Sequence, residues 1–263
     1  KSYPIVLSVA GSDSSGGAGV QADLKTFSAL GVYGATAITA ITAQNTVGVH
    51  SQLAIDPQMV YDQIIAVVED LHPRFVKIGM LSNTGIVDAV AEALGKYHLT
   101  IILDPVMVSS SGHRLLSVEA QEALKNKLLP LSTLVTPNIP ELKALTDMSL
   151  DGFEQKECAA RRLFDFGAKA ILVKGGHEDG DTKSDILFTS SDNDILSTLF
   201  SSETIATKNI HGTGCTLSSA IAAFMARGLG LAEAIREAKR YISEAISSGA
   251  DITIGNGFGP VNH

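Results

Sequence analysis

The sequence predicts an α/β protein with a mostly parallel central β-sheet flanked by helices on both faces. Short apolar runs of strand length alternate along the 263 residues with longer segments that carry apolar residues at helical spacing. Repeated strand–helix units of this kind build parallel sheets that are covered by helices. The chain has no internal repeat, low-complexity segment or linker, so residues 1–263 are predicted to form a single domain.

The N-terminal half begins with a predicted buried strand over residues 6–10, which runs into a glycine-rich loop and then into a helix beginning near Gln21. Asp56-Pro57 is predicted to start a second helix, because the apolar residues that follow keep helical spacing. Further elements predicted in this half are a strand over 75–79, a helix over 84–97 and a strand over 100–103.

The C-terminal half is predicted to continue with a helix over 117–129, at which Ser117 only loosely resembles an N-cap. Pro140 is predicted to start a helix, in a position suited to proline. The polar stretch 175–184 is either a mobile loop near bound phosphates or solvated surface. The other predicted elements are strands over 133–136 and 170–173, antiparallel edge strands over 185–188 and 197–206, and helices over 213–226 and 231–248.

The composition excludes several classes of function. A net charge of −8 supplies no basic field for nucleic acid, so no nucleic-acid partner is expected. No apolar stretch approaches the length of a membrane span and no signal peptide is apparent, so we expect a cytoplasmic protein without a membrane partner. Two cysteines do not make a disulfide framework, and Cys158, in a predicted helix, is expected to be structural.

A first glycine cluster separates the first strand from the first helix. It consists of Gly11-Ser12-Asp13 followed closely by Gly16-Gly17-Ala18-Gly19. Strand, glycine loop and helix in this order suit ligand binding at the carboxyl edge of a sheet. The spacing matches neither GxGxxG nor GxxxxGK[ST], so the sequence supports neither a dinucleotide fingerprint nor a P-loop.

A second cluster, residues 211–216 with the sequence HGTGCT, runs directly into a predicted helix. A glycine turn at the start of a helix aims free backbone N–H groups and the positive end of the helix dipole at a ligand, which suits phosphate. Cys215 lies at this position, where a thiol is biased toward thiolate. The alternative is a tight turn before a core helix with an inert cysteine, since short glycine motifs are weak signals.

Taken together, these segments resemble the hydroxymethylpyrimidine/phosphomethylpyrimidine kinase family, a thiamin-biosynthesis branch of the ribokinase superfamily. The matching segments run in order through essentially the whole chain, which makes the set far more specific than any single motif. After the first glycine cluster come the segments 21–26 (QADLKT), 43–46 (AQNT), 77–81 (KIGML), 103–107 (LDPVM), 136–141 (TPNIPE), 173–177 (VKGGH), 207–209 (TKN), the second cluster and 257–261 (GFGPV).

The resemblance implies a ribokinase-like fold and a kinase that uses ATP and Mg²⁺. Its substrate would be 4-amino-5-hydroxymethyl-2-methylpyrimidine, which it would phosphorylate first to the monophosphate and then to the diphosphate. A homo-oligomer, most simply a dimer, is also implied. The alternatives are a pyridoxal/pyridoxine kinase of the same fold and a non-catalytic protein that binds a small molecule.

Three residues at or just beyond strand ends are candidates for magnesium: Asp104, Asn138 and Glu141. Carboxylate and amide oxygens suit Mg²⁺, which usually keeps several waters and bridges phosphates. The family associates its Thr-x-Asn-x-x-Glu pattern, here beginning at Thr136, with magnesium and phosphate. For Glu141 taken alone, a solvated carboxylate at a helix N-terminus is the alternative.

Lysines supply the predicted nucleotide contacts. Lys174 follows an apolar strand and precedes two glycines, so its ammonium group can reach a phosphate. By the resemblance, Lys239 lies nearer the adenine, although a solvated helix face explains it equally well. The resemblance also places Thr207, Lys208, Thr213 and the backbone of Gly212 and Gly214 on the phosphate side.

Cys215 replaces the aspartate that serves as general base in many ribokinase-like sugar kinases. A thiolate at a helix N-terminus can accept a proton, and the adjacent N–H groups can stabilise the transferring phosphoryl group. We therefore assign a catalytic role to Cys215 with Gly212 and Gly214, as positioning plus partial base action without a covalent phosphocysteine.

The substrate is predicted to bind near the first glycine loop. Asp23 is expected to accept hydrogen bonds from the hydroxymethyl group or a ring substituent. The Gln44 amide matches the 4-amino group and ring nitrogen of an aminopyrimidine. Related bifunctional enzymes that also phosphorylate pyridoxal tend to carry Met there, so Gln44 favours the pyrimidine. Further contacts are assigned to Gly11, Ala18, Met80 and Val106, the last two as apolar neighbours of the ring.

Overall fold

The computed structural model describes residues 3–109, 111–176, 180–191 and 194–263. Within these residues, nine strands form one sheet in the order β3-β2-β1-β4-β5-β6-β7-β8-β9. The strands are β1 Ile5–Asp13, β2 Tyr33–Gln44, β3 Val49–Ala54, β4 Phe75–Ile78, β5 Thr100–Leu103, β6 Leu134–Val135, β7 Ala170–Val173, β8 Thr182–Ser191 and β9 Asp194–Glu203. Strands β2, β1, β4, β5, β6 and β7 run parallel, whereas β3, β8 and β9 are antiparallel to their neighbours.

The helices alternate with the parallel strands, as the sequence predicts. They are α1 Gly19–Ala29, α2 Pro57–Leu71, α3 Thr84–Leu94, α4 Val118–Lys127, α5 Ile139–Thr146, α6 Phe153–Asp165, α7 Thr213–Ala226 and α8 Leu231–Gly249, with a 3₁₀ turn at Leu129–Leu131. Within the described ranges, no helix is long and apolar enough to cross a membrane. That the chain forms a single domain stays a prediction.

Two apolar cores lie on opposite faces of the sheet. Alternate residues of a strand point to opposite faces, and β5 shows this clearly. Ile101 and Leu103 pack into the core beneath α2 to α6, whereas Ile102 packs against α1, α7 and α8. Both faces of the parallel strands are thus covered, which explains why β5 and β7 appear in the sequence as continuous apolar runs.

The parallel strands deliver polar side chains to one edge of the sheet. Asp13 ends β1, Asp104 follows β5 and Lys174 follows β7. The Lys174 backbone N–H donates to the Pro137 carbonyl oxygen at 2.9 Å, which fixes it beside the end of β6. Helices α5 and α7 begin at the same edge. Helix α5 follows the end of β6, and Gly212, which precedes α7, lies against Gly17 of the first glycine loop.

Most predicted elements are confirmed, with shifts of a few residues at their ends. The edge strands are antiparallel as predicted, but the second ends at Glu203 rather than 206. The predicted helix 84–97 ends at Leu94, and Ser117 does cap α4, since its hydroxyl accepts the Ala120 N–H. Cys158 lies on α6, as predicted, and is exposed.

Two strands were not predicted, and one predicted loop lies partly outside the described residues. Strands β2 and β3 had no predicted counterpart, because β2 is rich in small residues (YGATAITAITAQ) and lacks a clear apolar run. Part of the polar stretch 175–184 belongs to β8, which begins at Thr182, while residues 177–179 lie outside the described part of the chain.

Candidate active site

A cavity of about 700 Å³ opens at the carboxyl edge of the parallel strands. It extends from the ends of β1 and β2, past the ends of β5 to β7, to helix α8. The predicted site residues that line it are Gly11, Ala18, Gln44, Met80, Asp104, Val106, Asn138, Glu141, Lys174, Gly212, Thr213, Gly214, Cys215 and Lys239. Asp23, Thr207 and Lys208 do not line it.

The two glycine clusters interlock at the centre of the cavity. Gly212, the N-cap of α7, has a φ of +83°, and a side chain there would collide with the Gly17 carbonyl oxygen. Only glycine adopts this conformation at no steric cost. The Thr213 N–H donates to the Ile210 carbonyl oxygen at 3.2 Å, so Gly214 and Cys215 are the residues of the first turn of α7 whose backbone N–H groups have no partner within the helix. This is the geometry of an anion site.

Asp13 ties the two glycine loops together, a role that the sequence prediction missed. Its carboxylate accepts the backbone N–H groups of Ser15, Gly17 and Ala18 at 2.9–3.1 Å. It also lies 2.8 Å from Nε2 of His211. Burial alone would raise the pKa of the Asp13 carboxyl, but the hydrogen bonds from His211 and Ser15 outweigh burial and lower the pKa to about 2. The strand-end position of Asp13 before three glycines was the available sequence signal.

Gln44 faces the cavity with its amide nitrogen available. Its Oε1 accepts the Thr42 hydroxyl at 3.1 Å, and its Nε2 lies 3.5 Å from Nε2 of His211. Because the carboxylate of Asp13 only accepts, the shared His211 nitrogen carries the hydrogen and gives Gln44 no acceptor. The Gln44 NH₂ group is therefore available to a ligand.

An apolar slot lies beside Gln44. Met80, Leu115 and Ala40 form a small buried cluster, with Val106 packed against it. A side chain at Gly11 would lie 2.8 Å from the Met80 sulfur atom, so glycine at this position allows Met80 to approach the strand. The slot has the apolar walls that a flat ring needs, with polar groups at one end.

Lys174 bridges two carboxylates at the centre of the strand edge. Its Nζ lies 2.7 Å from Asp104 Oδ1 and 3.9 Å from Glu141 Oε2. Desolvation acts to lower the pKa of Lys174, but Asp104 and Glu141 outweigh it and raise that pKa. Burial, reinforced by Asp104 and opposed by Lys174, raises the pKa of Glu141 to about 7. This buried carboxyl group would gain from a second cation.

Asn138 and Glu141 also form a capping box at the start of α5. The Glu141 N–H donates to Asn138 Oδ1 at 2.8 Å, and the Asn138 N–H donates to Glu141 Oε2 at 2.8 Å. Among the described residues, no group of three His, Cys, Asp or Glu side chains is arranged to hold a metal. Mg²⁺ in phosphotransfer sites uses one or two carboxylates, with water and phosphate completing its shell, so Asp104 and Glu141 fit that requirement.

Cys215 lies in the first turn of α7, but its predicted bias toward thiolate is wrong in this structure. Burial raises the pKa of the Cys215 thiol above its usual value. The Lys77 charge and the Gly19 N–H act in the opposite direction without overcoming burial, while the carboxylates of Asp23 and Asp104 add to it. Position at a helix N-terminus is therefore not sufficient to ionise a thiol that also faces buried carboxylates.

Asp23 is fully buried and does not line the cavity, so the structure does not bring it to the substrate position that the sequence predicts. Its side chain is fully buried, and its two oxygens lie 2.8 and 2.9 Å from Lys77 Nζ. The hydroxyls of Ser8 and Ser219 donate to it at 2.5 and 2.6 Å. Three donor groups thus make four hydrogen bonds to the carboxylate, which leaves it neither exposure nor free lone pairs for a substrate.

The outer nucleotide contacts are only partly brought together. Lys239 lines the cavity, but its Nζ lies 2.7 Å from Asp185, whose other oxygen accepts the Gly175 N–H. The Lys239–Asp185 pair thus holds the backbone that follows Lys174. Thr207 and Lys208 lie outside the cavity, since the Thr207 hydroxyl is engaged with the Ala250 carbonyl oxygen and the Asn209 N–H, and Lys208 is exposed.

Solved structures with this fold define the class of protein. The crystal structure of phosphomethylpyrimidine kinase from Clostridium difficile 630 superposes with a TM-score of 0.79 and 44% identity, covering 92% of this chain and 99% of that one. A Staphylococcus aureus pyridoxal kinase in complex with AMP-PCP and pyridoxal gives a TM-score of 0.88 and 31% identity, covering 100% and 94%. The fold is that of a ribokinase-like kinase.

Sequence comparison narrows the class to one family. The family model described as phosphomethylpyrimidine kinase matches residues 13–262. A hydroxymethylpyrimidine/phosphomethylpyrimidine kinase of Rhizobium meliloti (strain 1021) is 49% identical over 260 residues, covering 98% of this chain and 96% of the relative. The chain therefore belongs to the phosphomethylpyrimidine kinase family and is a kinase.

Proposed function

We propose that this chain transfers phosphate from ATP to 4-amino-5-hydroxymethyl-2-methylpyrimidine and then to the resulting monophosphate, as a step of thiamin biosynthesis. The observation that carries the proposal is one continuous cavity that joins the apolar slot beside Gln44 to the start of α7. The Gln44 side-chain amide, which lines the cavity, suits the ring nitrogen of an aminopyrimidine. Met80 and Val106 would contact the ring.

In the first step, the hydroxymethyl oxygen attacks the γ-phosphorus of ATP. The bond from that phosphorus to the β,γ-bridging oxygen breaks, and ADP departs with the oxygen. The backbone N–H groups of Gly214 and Cys215 bind the transferring phosphoryl group, and Lys174 neutralises its charge. The hydroxyl proton passes to the thiolate form of Cys215, which the raised thiol pKa keeps scarce at neutral pH.

Positioning is therefore the larger part of the proposed catalysis, with base action the smaller part. Asp104 and Glu141 would hold Mg²⁺, with Asn138 reaching it through water. When bound, Mg²⁺ supplies further neutralisation of the phosphates. Lys174 lies between these two carboxylates, so its ammonium group would contact the phosphates when they bind. The homodimer and the cytoplasmic location stay predictions.

The test is ADP release by the purified protein with ATP and Mg²⁺, with the hydroxymethylpyrimidine and pyridoxal offered in parallel and the products resolved by mass. Mono- and diphosphorylated pyrimidine with little pyridoxal phosphate is the expected result. Pyridoxal is the competing substrate because a pyridoxal kinase shares the fold over the whole chain. Dominant pyridoxal phosphorylation would overturn the substrate assignment, and ligand binding without turnover would favour a non-catalytic binding protein.

A further inference from the structure

Arg114 lies at the edge of the apolar slot. It lines the cavity on the segment that follows β5 and forms an antiparallel bridge with Val108. The next residue, Leu115, donates its backbone N–H to the Met107 carbonyl oxygen at 2.8 Å. Leu115 also packs against Met80 within the slot. Backbone pairing and the packing of Leu115 therefore fix the backbone of Arg114 next to the proposed ring site, and the exposed Arg114 side chain lines the same cavity.

Arg114 differs from the other cations that line the cavity. Lys174 and Lys239 each lie 2.7 Å from a buried aspartate, and His211 lies 2.8 Å from Asp13. Lys183 is also engaged in an interaction. Within the ranges that the structure describes, Arg114 has no ion pair or side-chain hydrogen bond to the protein. Its guanidinium is therefore available to a ligand.

The cavity lining carries five carboxylates, and three of its cations are already paired with aspartates, so a second phosphate would gain from an unpaired cation. The carboxylates are those of Asp13, Asp104, Glu141, Asp185 and Glu203. A phosphate monoester brings a charge of about −1.5 to −2 at neutral pH. The start of α7 and Lys174 are committed to the γ-phosphate of ATP, so the acceptor phosphate needs another partner. A guanidinium binds phosphate oxygens in a planar, bidentate manner.

We propose that Arg114 binds the phosphate of the pyrimidine monophosphate in the second phosphorylation and determines whether that step occurs. This inference rests on the proposed function. In that step, one non-bridging oxygen of the acceptor phosphate attacks the γ-phosphorus of ATP, and the bond to the β,γ-bridging oxygen breaks. A phosphoanhydride forms and ADP leaves. Arg114 holds the other non-bridging oxygens, whereas the alcohol of the first step has no group for Arg114 to hold.

The test compares Arg114→Met with Arg74→Met, in which the replaced arginine is also exposed but precedes β4 at the opposite end of the parallel strands. The two phosphorylations are assayed separately, each with its own acceptor and saturating ATP and Mg²⁺. Arg114→Met is expected to lower kcat/KM for the monophosphate about 10- to 100-fold, as expected for loss of a charge-assisted contact. It should change kcat/KM for the alcohol less than about twofold, and Arg114→Lys should restore part of the second step.

Binding without ATP provides an independent readout by calorimetry. Arg114→Met is expected to weaken binding of the monophosphate and to leave binding of the alcohol unchanged. Equal losses in both steps, or no loss in either, would overturn the role of Arg114. If the wild-type chain turned over neither acceptor, the proposed function would fail and with it the control of the second step by Arg114, and calorimetry would then test the phosphate contact of Arg114 alone. If Arg114→Met bound the monophosphate normally, the inference would fail whatever the turnover.

Discussion

Replacing Lys77 with methionine is expected to destabilise the fold strongly, because it leaves the Asp23 carboxylate buried without its cation. Both side chains are 0% exposed, and Lys77 Nζ contacts both carboxylate oxygens at 2.8 and 2.9 Å. Desolvation acts to lower the pKa of Lys77, but Asp23 outweighs it and raises that pKa, so the ammonium is charged in the folded protein. Removing one partner of such a pair costs about 3–5 kcal/mol.

That loss corresponds to a fall in Tm of about 6–20 °C for a domain of this size. The control is Lys127→Met, because Lys127 and Asp88 form a pair of 2.7 Å whose side chains are 49% and 44% exposed. Exposed pairs contribute about 0–1 kcal/mol, so this control should lower Tm by less than about 4 °C. Differential scanning calorimetry of both variants in one buffer makes the comparison.

A second variant, Lys77→Met with Asp23→Asn, removes the unpaired charge while Ser8 and Ser219 keep a partner. It should be more stable than Lys77→Met alone. Equal Tm losses for Lys77→Met and Lys127→Met would refute the buried-pair reasoning. If a variant at Asp23 kept its stability but lost pyrimidine affinity, the result would support a contact between Asp23 and the substrate.

Three more predictions concern the cavity. Cys215→Ala should lower kcat more than tenfold with KM for the pyrimidine nearly unchanged, and an unchanged kcat would exclude a catalytic thiol. Because the thiol pKa lies above its usual 9.0, the wild-type rate should rise with pH toward that range, and the variant should lose this rise. Gln44→Met should weaken pyrimidine binding by about 1–3 kcal/mol in calorimetry, and unchanged affinity would make Gln44 structural. The pKa of Asp13 is lowered from 3.8 to about 2, so the stability that Asp13 contributes is present above pH 3.8 and is lost as the pH falls toward 2. Asp13→Asn should flatten the fall of Tm at acid pH. If Tm of the variant fell with pH in parallel with the wild type, the Asp13–His211 pairing would be contradicted.

The sequence predicted the strand–helix alternation because that pattern depends on local periodicity and on buried apolar runs. The strands predicted over 100–103 and 170–173 from their apolar residues have the same bounds as β5 and β7. It also predicted Asp104 and Lys174 at strand ends and Cys215 at the start of a helix, and the structure brings all three to one cavity because parallel strands end at the same edge. Strand β2 escaped prediction because its alternating alanine and threonine residues carry little apolar contrast.

Side-chain roles were less predictable, because they depend on partners distant in sequence. Asp23 meets Lys77 across 54 positions and Ser219 across 196, and those contacts remove it from the cavity. Asp13 meets His211 across 198 positions, and no local pattern pairs them. The ionisation of Cys215 likewise depends on burial and on carboxylates from other elements.

The sequence by itself therefore determined the fold class, the two glycine loops and the family to which the chain is related, because these depend on local spacing and on ordered motifs. Only the tertiary structure decided which charged groups face the cavity and which neutralise one another beneath it. The physical reason is that burying a charge is unfavourable unless a partner is within hydrogen-bonding distance, and folding chooses that partner. Lys77 is thus committed to Asp23, whereas Arg114 has no such partner among the residues that the structure describes.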